Sequence, residues 1–332
     1  MKRLMLLFAP LLLSGCVANL KPRICTTGIS MCPPGVCAQV SADTQVVPPP
    51  GWCGNDGKER VPIVDLKQAA QMMRLCFLSY GPDDSIRALG SVTIDSVDCG
   101  PLPHISGNKW FIWYDTVGAV KRQVVALRGT ANFENLFQDF YYPKKFDAVI
   151  SDWVHGGIYD AVMKVEPLVK ARLVPGVRVC LTGHSLGGAM ASLLALHFYK
   201  SGMNMGPLFT FAQPQVFCET TVLAYRCFPV IRFINEDDPV PYVPPTMAMP
   251  SNPSDSLNPG FHGTFRQLGD EAVLHAKGGY VYRCTHDQYR NGRLYAKRIW
   301  KAICAKDYKA LLPAHMQDVY LARMNRIAAG VP

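Results

Sequence analysis

Apolar residues recur at helical spacing through residues 63–80, where Ile63, Leu66, Ala70, Met73 and Phe77 lie three or four apart. Gly81-Pro82 follows as a helix stop. Short apolar or alternating runs at 91–97, 110–114 and 123–127 read as strands. A helix is expected at 158–173, closed by Pro175-Gly176, with a strand at 178–182 behind it. The run 186–200 is strongly apolar and reads as a helix. Strands at 208–212, 230–234 and 280–283 and a last helix at 311–329 complete the pattern. Alternation of strand and helix implies parallel pairing through right-handed crossovers. The expected fold class is therefore α/β, a mostly parallel central sheet with helices on both faces. No internal repeat is present, and no second domain boundary follows residue 63.

The first residues do not fit this pattern. Lys2 and Arg3 precede a short apolar run, Leu4 to Leu13, too short to span a bilayer and suited to a secretory signal. It ends in Leu13-Ser14-Gly15-Cys16, which resembles the lipobox of bacterial lipoproteins. The resemblance implies cleavage after residue 15 and acylation of Cys16. Acyl chains anchor at about 0.8 kcal/mol per buried methylene. Val17, rather than Asp, favours the outer membrane. Residues 16–62 carry Pro22, Pro33-Pro34, Pro48-Pro49-Pro50 and Pro62, the composition of a semi-rigid tether. Cys25, Cys32, Cys37, Cys53 and Trp52 leave open a disulfide-tied flap instead. The expected organisation is a signal peptide at 1–15, an anchored tether at 16–62 and one α/β domain at 63–332.

Composition narrows the class further. The chain of 332 residues is 49% hydrophobic and 18% charged, which excludes a disordered chain. Twelve cysteines suit an oxidising compartment. Cys180, inside an apolar run, is the candidate for a buried free thiol, and Cys218–Cys227 and Cys284–Cys304 are candidate local bridges. No C-x-x-C or H-E-x-x-H argues for a metal. The net charge of +9 falls to +7 once Lys2 and Arg3 are removed. No nucleic-acid motif accompanies that charge.

The chemistry concentrates around Ser185. Gly183-His184-Ser185-Leu186-Gly187 follows an expected strand and opens an expected helix, the setting of a G-x-S-x-G nucleophile elbow. A serine hydroxyl needs a base, and the base an orienting carboxylate. Asp237-Asp238 closes the strand at 230–234, and His262, His275, His286 and His315 lie beyond it.

Five ordered segments carry a family resemblance: Val125-Ala-Leu-Arg-Gly-Thr130, Val154-His-Gly-Gly157, Thr182-Gly-His-Ser-Leu-Gly-Gly188, Thr210-Phe-Ala-Gln-Pro214 and Arg232-Phe-Ile-Asn-Glu-Asp-Asp-Pro-Val-Pro241. Together they resemble the class 3 lipases, the family of the fungal triacylglycerol lipases, over residues 63–300. The resemblance implies an α/β-hydrolase fold with Ser185 as nucleophile, Asp238 as triad acid and His286 as base. Asp237 and His262 are the runners-up, with His275 and His315 behind. It implies an oxyanion hole from Thr130 and the Leu186 N–H, with His184 and His155 structural. It also implies a lid at 132–142, where Phe133, Leu136, Phe137 and Phe140 form one helical face, although such a stripe also suits plain core packing.

The function so implied is a membrane-anchored serine lipase or esterase working through an acyl-enzyme on lipid esters, with no metal or organic cofactor. A phospholipase of the same mechanism is the alternative, with Lys144, Lys145 and Arg266 available to anionic headgroups. A non-catalytic envelope lipoprotein is the reading from another class.

Overall fold

The computed structural model describes residues 65–97, 108–117, 120–130, 144–225, 228–243, 265–283 and 312–330. The expectations for 1–62, for the lid at 132–142, and for Cys16, His262 and His286 fall outside these residues.

Eight strands form one sheet: β1 (Val92–Val97), β2 (Asn108–Val117), β3 (Val120–Leu127), β6 (Arg178–His184), β7 (Leu208–Phe211), β8 (Val230–Asn235), β9 (Asp270–Leu274) and β10 (Tyr280–Arg283), adjacent in that order. Pairing is parallel from β3 through β9 and antiparallel at the margins, β1–β2–β3 and β9–β10. A hairpin of β4 (Lys144–Asp147) and β5 (Asp152–His155) stands apart. The helices are α1 (Leu66–Tyr80), α2 (Asp83–Arg87), α3 (Gly156–Lys170), α4 (Leu186–Lys200), α5 (Glu219–Ala224) and α6 (Gln317–Ala328).

The period of two along each strand separates the two layers. Val125, Leu127, Val179, Leu181 and Leu208 point to a core filled by α3 and α4. Val124, Ala126, Cys180, Phe209 and Phe211 point the other way, to α1 and α6. Helices therefore cover both faces. That is why α4 is mostly apolar: Leu186 through Phe198 are buried without exception. Side chains such as Phe198, Phe217 and Phe233 are wholly excluded from solvent, each burial stabilising by about 1.5–3 kcal/mol.

Several expectations need correction. The hairpin, β9, α2 and α5 lie where the sequence pattern predicts no element. Strands KKFD and DWVH carry charge and lack a clean alternation, because only part of the hairpin packs inward. The last helix begins at Gln317 rather than 311, and the residues before it form a short turn, Pro313–His315. Cys218, a candidate for a bridge with Cys227, is a free thiol whose Sγ accepts from Lys144 Nζ at 3.1 Å. Cys180 is free and buried, as is Cys76.

Candidate active site

The site grows from the break between β6 and α4. Ser185 sits at φ 58°, ψ −130°, one of three non-glycine residues with positive φ among the described residues. Such a conformation costs about 1–3 kcal/mol and persists only where its surroundings enforce it. Here Ser185 N–H donates to Phe211 O (2.8 Å), and Ser185 O accepts from Gly188 and Ala189 N–H. The glycines of the pentapeptide leave room for this turn. A Cβ on Gly183 would lie 2.2 Å from Gly187 O, and one on Gly187 would lie 2.2 Å from Leu127 O. Strand, turn and helix are in backbone contact, so no side chain fits between them.

Asp238 follows the end of β8 and is fully buried. Its Oδ1 accepts from Val240 N–H (2.9 Å), and its Oδ2 from the Tyr320 hydroxyl (2.7 Å). Both carboxylate oxygens face Nδ1 of His315, at 3.1 and 2.9 Å. His315 Nε2 lies 2.9 Å from Ser185 Oγ. An ionised carboxylate only accepts, so Nδ1 carries the proton and Nε2 accepts from the serine. Ser185, His315 and Asp238 thus form one hydrogen-bonded chain, wholly buried. Hydrogen bonds in such low-dielectric surroundings are electrostatically stronger than in water.

His315 is held from behind as well. Asn235 Nδ2 donates to Ala314 O at 2.7 Å, and His184 Nε2 contacts His315 O at 2.9 Å. Asn235 N–H donates to the Tyr320 hydroxyl (2.9 Å), so α6 and β8 clamp the turn between them. Burial pushes the Tyr320 phenol well above its usual range, with the Asp238 charge adding to it. It therefore remains a donor to Asp238.

The expected residues come together unequally. Ser185 and Asp238 meet in the site. Asp237 turns away to Arg323 Nη1 (3.1 Å). Among the described residues it is His315 that lies beside Ser185 and Asp238, while His286, the residue expected there, lies outside them. His275 bonds Glu236 instead (2.7 Å). His155 caps α3, accepting from Ile158 N–H, and burial depresses its pKa to about 4. Thr130 and Leu186 are buried beside the elbow. A Cβ on Gly129 would lie 3.0 Å from Ser185 Cβ, so the chain just after β3 runs directly against Ser185. Lys144 is buried against Cys218 and Phe265, while Lys145 chelates Asp160, so both are engaged within the protein.

One signal in the sequence bears on where the last helix begins. Tyr320, Met324 and Ile327 place the buried stripe of the last helix from residue 320 onward. Pro313 lies above that stripe, so His315 belongs to the turn before the helix rather than to its body.

A mostly parallel sheet covered on both faces, with a sharp serine turn after a central strand, is the architecture of the α/β-hydrolase fold. Residues 124–248 match the family model Lipase (class 3), so this stretch of the chain is similar to the class 3 lipases. A secreted mono- and diacylglycerol lipase 1 of Fusarium solani is 32% identical over 139 residues, covering 39% of this chain and 41% of that protein. A lipase of Rhizomucor miehei is 31% identical over 156 residues, covering 40% and 42%. The matched region thus spans about two-fifths of each of these relatives. Among solved structures, Lip2 lipase from Yarrowia lipolytica superposes with a TM-score of 0.54 at 16% identity, covering 81% of this chain and 95% of that one. The lipase from Rhizopus microsporus var. chinensis gives 0.51 at 18% identity, covering 70% and 87%. At these identities the structural likeness speaks for the fold.

Proposed function

We propose that this protein is a serine lipase or esterase that hydrolyses carboxylic esters of lipids through an acyl-enzyme. The observation that carries the reading is the chain Ser185 Oγ–His315–Asp238, with 2.9 Å contacts on both sides of the imidazole. In this mechanism His315 Nε2 takes the Ser185 proton as Oγ attacks the ester carbonyl. Asp238 keeps the proton on Nδ1 and stabilises the imidazolium that forms. The negative carbonyl oxygen is met by the N–H of Leu186, at the positive end of α4, and by Thr130 just after β3. His315 then returns its proton to the departing alkoxide. Water, activated by the same imidazole, attacks the acyl-serine and releases the fatty acid.

The membrane anchor belongs to the same proposal. The lipobox-like Leu13-Ser14-Gly15-Cys16 would place the domain on the bacterial envelope, in the outer membrane, with its substrate in or near the lipid surface. Radiolabelled palmitate incorporated by the wild type and lost in Cys16→Ala tests the anchor separately from the chemistry.

The deciding experiment is hydrolysis of p-nitrophenyl esters, triacylglycerols and phospholipids by the folded protein beside Ser185→Ala. Ester cleavage by the wild type, abolished in the variant, supports the reading. A folded wild type inert on all three classes overturns it, and cleavage confined to phospholipids makes the protein a phospholipase.

A further inference from the structure

His184, the second residue of the pentapeptide, points away from Ser185 Oγ and into the layer between β6, α1 and α6. It is fully buried, and both ring nitrogens are engaged: Nε2 with His315 O at 2.9 Å and Nδ1 with the Tyr80 hydroxyl at 3.0 Å. The Tyr80 hydroxyl is in turn 3.2 Å from Gly129 N–H. The direction of every proton follows from chemistry. A carbonyl only accepts, so His184 Nε2 donates to His315 O. The neutral imidazole then has its lone pair at Nδ1, and Tyr80 donates to it. Gly129 N–H donates to a lone pair on the Tyr80 oxygen. The result is one directed chain from Gly129 through Tyr80 and His184 to the backbone of His315.

That chain joins two parts of the site that no strand pairing connects. Gly129 precedes Thr130 just after β3, pressed against Ser185. His315 lies 130 residues beyond Ser185, in a turn outside the sheet. Packing alone would need an apolar residue at 184, since a buried imidazole without partners costs free energy. The same contact places the His184 ring 4.9 Å from the His315 ring, centroid to centroid. Burial, with His315 as a neighbour, drives the pKa of His184 well down, so that ring stays uncharged while His315 cycles through its cation.

We propose that His184 and Tyr80 are positioning residues, a buried relay that sets His315 over Ser185 in register with the Gly129–Thr130 strand end. The proposal rests on His315 being the base, as proposed above. It differs from a packing role in one respect: the essential atom is the Nε2–H that grips His315 O.

Two replacements separate the nitrogens. In His184→Gln the side-chain amide reaches the Nε2 position and still donates to His315 O. In His184→Asn the amide reaches only the Nδ1 position and that grip is lost. With the full chain and a soluble ester, kcat should fall on the order of a hundredfold in His184→Asn, the scale of a misplaced catalytic group. His184→Gln should recover most of it, and KM should stay within about twofold in both because the ester site is untouched. Tyr80→Phe, which removes one hydroxyl, should lower kcat by about tenfold at unchanged KM and provides the decision if His184→Asn does not fold. Folded His184→Asn with wild-type kcat, a Gln variant no better than Asn, or Tyr80→Phe with wild-type kcat overturns the relay. His315→Asn run in parallel keeps the two readings apart: full activity there defeats the assignment of the base, whatever the His184 variants do.

Discussion

His315 Nε2 stands 2.9 Å from Ser185 Oγ across 130 residues of chain, and the contact is made from a short turn rather than from the sheet. Its Nδ1 is committed to Asp238, and its Nε2 presents its lone pair to the serine. Replacing His315 by Asn should lower kcat by at least about a thousandfold on any ester, as should Ser185→Ala. His286→Asn should remain within about twofold of wild type. Steady-state kinetics on a p-nitrophenyl ester check all three; an inactive, folded His286→Asn would restore the assignment made from the resemblance alone.

The two adjacent aspartates should separate by activity. Asp238 faces His315, whereas Asp237 faces Arg323 on α6. Asp238→Asn leaves the imidazole in the wrong tautomer and should reduce kcat by about four orders of magnitude. Asp237→Asn removes a half-exposed ion pair and should cost less than about 1 kcal/mol of stability, with kcat unchanged. Thermal melts beside kinetics distinguish the outcomes.

A second buried histidine makes stability depend on pH. His197, near the end of α4, contacts Glu166 Oε2 through Nδ1 and Asp147 Oδ2 through Nε2, each at 2.6 Å. Burial by itself would depress its pKa, but hydrogen bonds and charge from Asp147 and Glu166 outweigh that and raise it from 6.5 to about 9. A raised folded pKa means a contribution fully present below pH 6.5 and lost as pH climbs through about 9. Glu166, held below its usual pKa against its own burial by His197 and Lys170, works in the opposite sense, its share fading as pH falls below the carboxylate range. The melting temperature should therefore decline between pH 6.5 and 9 in the wild type. His197→Gln should be less stable at neutral pH and should flatten that decline.

The elbow glycines should tolerate nothing larger. Gly187→Ala would drive a Cβ to 2.2 Å from Leu127 O, a backbone atom of a central strand that cannot step aside. Overpacking there should cost about 3 kcal/mol or more and reduce soluble yield. Gly202→Ala, in open space at φ 77°, carries only backbone strain and should be milder. Chemical denaturation of the pair gives the comparison.

Much of this molecule was legible in the residue pattern. The run 186–200 is strongly apolar, and α4 has those bounds because it is sandwiched in the core. The pentapeptide around Ser185 announced its turn, since a strand can meet a helix at backbone distance only with glycines at positions 183 and 187. β9 and the β4–β5 hairpin escaped notice. They are four or five residues long, and charged residues such as Lys144 and Asp147 interrupt their alternation because their partners are elsewhere in the fold.

The sequence by itself determined the α/β class, the layers of the sheet and the serine elbow, because each follows from residues within a few positions of one another. Period-two alternation and glycine spacing are local physics. Which histidine lies beside the serine is not. Four histidines follow the acidic strand end, and nothing in their spacing ranks them by distance to Ser185. Only the tertiary structure decided it: α6 packs on α1, Tyr320 bonds Asp238, and Asn235 and His184 hold two successive carbonyls of one turn, Ala314 and His315. Those contacts cross the chain and leave no period behind, so the histidine that stands beside Ser185 is set by packing.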